Sequence, residues 1–387
     1  MSEFMVFGAP QIEQPEIDEV VQTLQSGWIG TGPRVSRLEQ QFAAYKGRTQ
    51  ALAVNSCTAA LHLSLIACGV GPGDEVITTA LTFCATVNAI IHTGARPVLV
   101  DVDDSMNLDL SDVERKLTSR TKAILPVHFA GRPCDLAGIS AIAASHGLKV
   151  VEDCAHAIES EIGGMKCGTV GDFGCFSFYV TKNVVTGEGG MIIARDESAL
   201  HWLRKLSLHG MDADAWKRFG ADGYKHYDVI GAGYKYNMMD LQAALGIHQL
   251  ARVERNWQKR RCLWKLYHDR LQGLPLRLPT DPGDGVRHAY HLYTVQVEGH
   301  DGAVQRDALI LALKQRGIGV GVHYRALPEF SFYQQRFGWN CADYPKAVSI
   351  GRRTISLPLS ARLDDNDVRR VASAVRDAFE SISVQGG

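Results

Sequence analysis

The sequence shows little imbalance of charge, with 41 basic and 42 acidic residues among 387. Nucleic-acid-binding domains usually carry an excess of basic residues, so this composition argues against that class. No run of about 18 apolar residues occurs, which excludes a membrane-spanning helix. The first twenty residues also lack a basic region followed by an apolar stretch. We therefore expect no secretory signal and a cytoplasmic protein.

Paired cysteine motifs are absent as well. The nine cysteines are odd in number and contain no CxxC pair, so we interpret them as reduced core thiols rather than a disulfide framework or zinc site. The 14 histidines show no metal-ligand spacing, and no metal is predicted. The glycine-rich stretch 69–74 follows a helical pattern and precedes a strand, which is the wrong order for a dinucleotide-binding loop. It is interpreted as a turn.

Seven short apolar runs alternate with helical patterns between residues 50 and about 195. Each run is rich in β-branched or aromatic residues without strict alternation, which is typical of strands buried on both faces. Helical segments such as 58–67 and 136–146 suit crossover connections, so the pattern predicts an α/β domain with a mostly parallel sheet. The runs lie at 50–55, 75–81, 97–102, 123–129, 149–153, 173–179 and 190–194.

The remaining sequence predicts a smaller α+β unit. A helical stretch at about 240–274 leads into it and should contain a break, because so long a helix is unusual. We expect a large domain over 1–250, including an N-terminal arm, and a small domain over 251–387. The elements expected after the helical stretch are strands at 290–297 and 318–324 and helices near 303–316 and 364–382.

Polar residues at strand exits are the candidates for chemistry, since ligands bind beyond the carboxyl ends of parallel strands. Lys182 follows the strand 173–179. A lysine at an apolar strand exit loses solvation, which lowers its pKa and frees the amine to attack a carbonyl. Taken alone, such a lysine is more often a solvated surface residue. Ser177, five residues earlier, can offer a hydroxyl to a phosphate group.

Asp153 ends the run 149–153, where a buried carboxylate must find a cationic or donor partner. Pyridoxal phosphate (PLP) needs such a group beside its pyridine nitrogen. The alternative is that Glu152 or Asp153 caps a helix. His156 lies three residues on, and helical spacing would place it on the same face as Asp153. It either orients a cofactor or is a hydrogen-bonded core histidine.

Two further segments suit a bound cofactor. Thr58 and the N–H groups after it begin a helix that follows a strand, and a phosphate can bind at such a helix N-terminus. A simple helix cap is the alternative. Phe83 lies beyond the strand 75–81 and can stack on an aromatic ring, although alone it is more often a core residue.

Together these segments resemble the DegT/StrS-type sugar aminotransferases, a branch of the fold-type I PLP enzymes. The most specific block is 168–190, which contains SF-x-x-x-K-x-x-x-x-GEGG. The EDCAHA and GYKYN segments are most similar to the subgroup that makes 4-amino-4-deoxy sugars. Other matching segments lie at 27–33, 35–47, 80–90, 93–102, 152–157, 233–246 and 356–359.

The resemblance implies a fold-type I large domain with a seven-stranded sheet. It also implies that Lys182 forms the Schiff base with PLP and that Asp153 pairs with the pyridinium nitrogen. The other cofactor residues it implies are Phe83 as the stacking ring, His156 beside the cofactor's hydroxyl, and Thr58, Ala59 and Ser177 around the phosphate.

The resemblance further implies a homodimer with shared active sites, in which the segment 233–237 reaches the partner's cofactor. Many relatives read GYNYR, with Asn at the position of Lys235, so either Lys235 or Asn237 reaches the phosphate. Lys235, His323 and Arg325 are candidates for cations at the mouth of the pocket, although Arg325 suits a solvated surface equally well. The substrate positions implied less firmly are Trp28, Thr31, His323 and Tyr324.

The predicted reaction is transfer of an amino group, with glutamate as donor, to a nucleotide-linked 4-keto hexose in amino-sugar or polysaccharide biosynthesis. A 3-keto sugar or a cyclitol is an alternative acceptor. A PLP-dependent sugar dehydratase is a second alternative, disfavoured because Lys182 is present where that branch replaces the lysine. A PLP-binding regulator is a third, disfavoured because no basic helix-turn-helix segment precedes residue 20.

Overall fold

A computed structural model describes residues 4–212, 227–299 and 301–385 of the chain. The strands are β1 (Leu52–Val54), β2 (Glu75–Thr79), β3 (Arg96–Val100), β4 (Thr121–Leu125), β5 (Lys149–Asp153), β6 (Glu161–Ile162), β7 (Met165–Lys166), β8 (Phe173–Ser177), β9 (Gly190–Ala194), β10 (Leu276–Arg277), β11 (Val286–Arg287), β12 (Tyr293–Val297) and β13 (Thr354–Leu357). The α-helices are α1 (Gln14–Gln25), α2 (Pro33–Lys46), α3 (Cys57–Ala67), α4 (Cys84–His92), α5 (Leu110–Lys116), α6 (Leu136–His146), α7 (Ser198–Leu206), α8 (Asp240–Ala251), α9 (Val253–Leu271), α10 (Gly302–Gln315), α11 (Ser331–Phe337), α12 (Pro345–Arg353) and α13 (Asp365–Gln385).

A seven-stranded sheet forms the centre, in the order β1-β9-β8-β5-β4-β2-β3. Strand β9 runs antiparallel to both of its neighbours, and the other pairings in this sheet are parallel. The α/β fold with a mostly parallel sheet is therefore confirmed. Strands β2 and β9 are buried along their whole length, as expected for strands covered on both faces. The exits of β1, β2, β4, β5 and β8 consequently meet at one edge.

Local signals place the crossover helices where the sequence predicts them. The side chain of Ser56 accepts a hydrogen bond from the Ala59 N–H and so begins α3. Asp135 begins α6 in the same way, and Gly147, with a φ of 64°, ends that helix. The stretch 69–74 is a turn between α3 and β2, with Gly69 and Gly73 at positive φ.

The long helical stretch is broken at Arg252, between α8 and α9, as predicted. Beyond it, α9, α10 and α13 pack around a three-stranded sheet with the order β10-β12-β13. The buried residues at the centre of this cluster include Tyr267, Tyr293, Leu313 and Val375. Met5 from the N-terminal segment joins the same cluster. The domain boundary at residues 250 and 251 stays a prediction.

The predicted strand at 318–324 is wrong. That segment makes only isolated bridges, Ile318 with Met5 and Gly321 with Ser356. The third strand of the small sheet is β13 instead. Glycines at 317, 319 and 321 interrupt the apolar run, and glycine weakens a strand because it packs no side chain.

All nine cysteines are free thiols, as predicted. The expectation that they all lie in the core is wrong, since only five are buried and Cys262 is exposed. Among the described residues, no helix combines the length and the apolar character needed to cross a membrane.

Candidate active site

A cavity of about 510 Å³ opens at the edge of the sheet where the strand exits meet. It brings together side chains that follow β1, β2, β5 and β8, and others from the segment before α11. The sequence-predicted residues that line it are Thr58, Phe83, Asp153, His156, Ser177, Lys182, His323 and Tyr324. The sequence therefore identifies the main part of one site.

Lys182 lies in the turn after β8 and is half-buried. It forms no ion pair within the described part of the chain. Burial lowers the pKa of its amine to about 8, and the nearby acidic groups Cys57 and Asp153 oppose this shift. More of the amine is therefore uncharged near neutral pH than in a solvated lysine, and the uncharged form is the one that attacks a carbonyl.

Asp153 is the last residue of β5, and only 4% of its surface is exposed. Its Oδ2 accepts a hydrogen bond from Thr86 Oγ1 at 2.9 Å, and its Oδ1 accepts one from the Ala155 N–H at 3.1 Å. Burial raises the pKa of this carboxyl, although these bonds and the charge of Lys182 oppose the shift. No helix follows at 154–160, so the helix-cap interpretation of Glu152 and Asp153 is wrong.

His156 lies in a turn rather than a helix, so the helical-spacing argument for its position was wrong. The turn nevertheless places the ring on the cavity wall. Its Nδ1 accepts a hydrogen bond from the Ala130 N–H at 3.2 Å, and its Nε2 lies 3.0 Å from Tyr324 Oη. Burial, with the charge of Lys182, lowers the pKa of His156 well below its ordinary value. The neutral ring therefore carries its hydrogen on Nε2, and this N–H donates a hydrogen bond to Tyr324 Oη.

The start of α3 provides backbone donors at the cavity. The first helical hydrogen bond runs from the Ala60 N–H to the Ser56 carbonyl, so the N–H groups of Cys57 and Thr58 have no partner within the helix. The Ala59 N–H is different, because Ser56 Oγ accepts its hydrogen bond at 3.1 Å. Ala59 is buried and does not line the cavity. Ser56 and Cys57 line it in its place, and the sequence did not identify them.

Phe83 precedes α4, and 57% of its surface is exposed. Its ring centroid lies 5.9 Å from that of Tyr324. The interpretation of Phe83 as a core residue is therefore wrong, since the ring faces the cavity. Thr86, one turn later, holds Asp153 and was missed. The signal for it was its position in the same segment, 80–90, as Phe83.

His323 was expected to be a cation at the mouth of the pocket, and this expectation is wrong. The ring lines the cavity, and its Nδ1 lies 2.8 Å from Ser356 Oγ. Burial lowers the pKa of His323 to about 3, with a further contribution from the charge of Lys182. The ring is consequently neutral at physiological pH, and at this position it offers hydrogen bonds rather than charge.

The other predicted residues lie away from this cavity in a single chain. Trp28 Nε1 donates to the Thr31 carbonyl at 3.2 Å, and Asn237 Nδ2 donates to Thr31 Oγ1 at 2.7 Å. Lys235 is exposed. Arg325 donates to the Glu329 carbonyl at 2.8 Å on the protein surface, which agrees with its solvated-surface interpretation.

His128, Glu152 and Cys167 form a buried cluster whose ligand atoms lie within 4.8 Å of one another. The carboxylate of Glu152 is already occupied, since it lies 2.9 Å from His128 Nε2 and accepts hydrogen bonds from the N–H groups of residues 168, 170 and 171. His128 Nδ1 accepts a further bond from the Cys134 N–H at 3.0 Å. We interpret the cluster as a hydrogen-bonded support for the turn before β8.

The sequence is similar to known proteins over nearly its whole length, including the residues that line the cavity. Residues 10–376 match the model of the DegT/DnrJ/EryC1/StrS aminotransferase family. The spore coat polysaccharide biosynthesis protein SpsC of Bacillus subtilis is 47% identical over 376 residues, covering 97% of each chain.

Solved structures share the whole fold. The Streptococcus pneumoniae protein Spr1654, solved in PLP and pyridoxamine-phosphate forms, is 34% identical in the latter form with a TM-score of 0.91, covering 98% of this chain and 100% of that one. DesI, solved in the presence of its TDP-sugar product, is 28% identical with a TM-score of 0.87, covering 100% and 96%.

Proposed function

The chain belongs to the DegT/DnrJ/EryC1/StrS aminotransferase family, and from this premise we propose that it transfers the amino group of glutamate to a nucleotide-linked 4-keto hexose. It is a PLP-dependent sugar aminotransferase, as family and structural neighbours are. The observation that carries the assignment of roles is that Lys182 and Asp153 line one cavity at the strand exits.

The residues of the cavity fit PLP. The buried Asp153 carboxyl, with its raised pKa, is an acid that a cationic ring nitrogen would stabilise in its charged form. The amine of Lys182, with a pKa of about 8, suits attachment to an aldehyde. Phe83 presents an exposed ring, and the start of α3 offers N–H groups beside the Thr58 and Ser177 hydroxyls. Bound there, PLP supplies an electron sink for the carbon that carries the transferred amino group.

The protein's own groups then have separate tasks. Lys182 would hold the cofactor through its amine, and the same Nζ would accept and return the proton at the substrate carbon. Asp153 holds a negative charge opposite the ring nitrogen, and Thr86 fixes the orientation of that carboxylate. Tyr324 accepts a hydrogen bond from His156, so its own hydroxyl hydrogen is available to a second acceptor.

Two considerations support a nucleotide-linked 4-keto sugar. The relative DesI was solved with a TDP-sugar product, and the EDCAHA and GYKYN segments are most similar to those of the 4-amino-sugar subgroup. Glutamate as donor follows from the family resemblance. The most direct experiment loads the enzyme with glutamate and then adds 4-keto and 3-keto sugar nucleotides separately. We expect the absorbance of the PLP form to return with a 4-keto sugar. Its return only with 3-keto sugars would contradict the position of amination.

We also propose a homodimer with shared active sites. Glutamate and a sugar diphosphate both need cations, yet His323 is neutral and Lys235 and Arg325 lie outside the cavity of their own chain. A second copy would supply Lys235 or Asn237. Exposed apolar residues near these positions suit burial against such a copy; they are Ile29, Tyr179, Val229, Ile230 and Met239.

Hybrid dimers test the shared site and separate the two candidates. An inactive Lys182→Ala chain is mixed with Lys235→Ala in one experiment and with Asn237→Ala in another. If Lys235 or Asn237 completes the partner's site, its alanine variant should be inactive by itself. Mixing that variant with Lys182→Ala should then restore partial activity, because one site of the hybrid dimer has both residues intact. If neither mixture regains activity although the subunits are shown to exchange, the sites are not shared.

A further inference from the structure

Asn183, the residue next to Lys182, connects distant parts of the chain. Its Nδ2 donates a hydrogen bond to Glu159 Oε2 at 2.8 Å and a second to the Ala289 carbonyl at 3.3 Å. Its Oδ1 lies 3.0 Å from His291 Nδ1. The amide is thus held on three sides by segments that precede and follow Lys182 by more than twenty residues.

These contacts determine how the protons are placed. The two partners on one side, a carboxylate and a carbonyl, only accept hydrogen bonds, so the NH2 group of Asn183 must face them. The oxygen of the amide therefore faces His291, and His291 must donate from Nδ1. Burial lowers the pKa of His291 well below its ordinary value. The ring is consequently a neutral Nδ1–H tautomer whose Nε2 carries a lone pair.

The far end of the network is anchored by a buried ion pair. Glu159 is 3% exposed and Arg260 is 2% exposed, and Arg260 Nη2 contacts Glu159 Oε1. Arg260 also donates to the Ala289 carbonyl at 3.3 Å. At the other end the ring centroid of His291 lies 4.4 Å from that of His156, which lines the cavity. The network therefore joins helix α9 and the segment before β12 to the wall of the active site.

We propose that Asn183 is a positioning residue for Lys182. By fixing the peptide that follows the lysine and the tautomer of His291, it restricts the directions from which the amine approaches a carbonyl. Asn183 does not itself line the cavity, so its loss should slow the reaction of Lys182 without weakening noncovalent binding. This inference rests on the role proposed above for Lys182.

The test measures how fast the apoenzyme attaches PLP, followed by absorbance over a range of pH. In the wild type the rate should rise with pH and level off above the pKa of Lys182, about 8, because only the uncharged amine reacts. Asn183→Ala should lower the plateau rate about tenfold and leave the midpoint unchanged, as expected for the loss of hydrogen bonds that orient a reacting group. Asn183→Asp should lower the plateau and also raise the midpoint, because a carboxylate stabilises the protonated lysine.

A second readout separates positioning from a general loss of structure. Pyridoxine 5′-phosphate lacks the aldehyde and cannot attach to a lysine, so its affinity reports noncovalent binding alone. We expect this affinity to stay within about twofold of wild type in both Asn183 variants. Asn88→Asp is the matched control: Asn88 Oδ1 accepts a hydrogen bond from Tyr333 at 2.8 Å, which is its side-chain hydrogen bond among the described residues, and an aspartate retains it.

The pair His291→Gln and His291→Leu tests the other side of the amide, should the Asn183 variants fail to fold. A glutamine at position 291 can still donate a hydrogen bond to Asn183 Oδ1, so His291→Gln should retain most of the attachment rate. Leucine cannot donate, so His291→Leu should show the lowered rate expected of Asn183→Ala. Wild-type rates and midpoints in Asn183→Ala, or in His291→Leu if Asn183→Ala does not fold, would overturn the inference. If peptide mapping places PLP on a lysine other than Lys182, the proposed function of Lys182 fails instead, and the two failures are thereby distinguished.

Discussion

The central sheet has one cavity beside the amino ends of its parallel strands and another beside their carboxyl ends. These two sides are called the amino edge and the carboxyl edge. The cavity at the amino ends of β2 and β3 measures about 650 Å³, and the one at the carboxyl ends about 510 Å³. Both contain lysine, carboxylate and aromatic side chains. Size therefore does not distinguish a structural cavity from a candidate active site, and the pairing of charges must be compared instead.

At the amino edge the lysine and one arginine are paired with carboxylates. Arg120 contacts Glu75 at 2.6 Å, and Lys116 contacts Asp112 at 3.1 Å and the Leu99 carbonyl at 2.8 Å. At the carboxyl edge, within the described part of the chain, Lys182 has no such partner. Acids and bases whose pKa values are shifted by burial in a cleft, as those of Asp153 and Lys182 are, are typical of reactive sites. The difference predicts that substitutions at the carboxyl edge affect chemistry, whereas those at the amino edge affect stability.

The largest expected effect is that of Lys182→Ala, which removes the group proposed both to attach the cofactor and to move the proton. We expect activity to fall by at least about 1,000-fold, measured as transfer from glutamate to a keto-sugar nucleotide. The matched control is Lys116→Ala at the other cavity, which should retain activity within about twofold. Comparable losses in the two variants would remove the distinction between the cavities.

Asp153→Asn should follow in size. The amide keeps the shape of the side chain but not the charge opposite the ring nitrogen, so PLP should still bind while activity falls by about 100- to 1,000-fold, as for other electrostatic groups in active sites. PLP content and turnover are measured on the same preparation. Activity within a few-fold of wild type would reduce Asp153 to a structural residue.

Tyr324→Phe should have a moderate effect. The change removes the hydroxyl that accepts a hydrogen bond from His156 Nε2 and leaves the aromatic packing in place. We expect about a tenfold loss of kcat/KM, the usual consequence of losing one hydrogen bond in the transition state. Tyr344→Phe at the amino-edge cavity is the control. An equal loss there would show that the effect does not depend on the site.

The smallest effect on activity is expected for Glu75→Gln at the amino edge. Burial alone would raise the pKa of Glu75, but hydrogen bonds from Thr118 and Arg120 outweigh it and hold the pKa below its ordinary value. The stabilisation is therefore present above the ordinary pKa and is lost as the pH falls through the lower, folded-state value. We expect the variant to lose about 1–2 kcal/mol at pH 7, less at pH 4, with unchanged turnover. A constant difference between these pH values in thermal unfolding would contradict this account.

The strand exits could be predicted because they depend on local sequence. Buried strands are continuous apolar runs, and Asp153 and Lys182 stand where two of them end. The turn at His156 was mistaken for a helix, since a spacing of three residues does not by itself define helical geometry. The strand expected at 318–324 is wrong for a different reason, since Gly319 and Gly321 interrupt its apolar run.

The network around Asn183 could not be predicted from local patterns. Consecutive members of the set Glu159, Asn183, Arg260 and His291 are 24 to 77 residues apart in sequence. They meet only through the contacts that α9 and the segment before β12 make with residues 159 and 183. Trp28, Thr31 and Asn237 illustrate a second limit. They contact one another but do not line the cavity of their own chain, so the substrate roles predicted for them rest on the second subunit proposed above.

The central claim is that the lysine of the carboxyl-edge cavity carries the cofactor. Reduction of the PLP-loaded protein with borohydride, followed by digestion and peptide mapping, tests it directly. The account predicts one modified peptide, with the adduct on Lys182 and none on Lys116 or Lys235. An adduct on either of those lysines, with Lys182 unmodified, would contradict it.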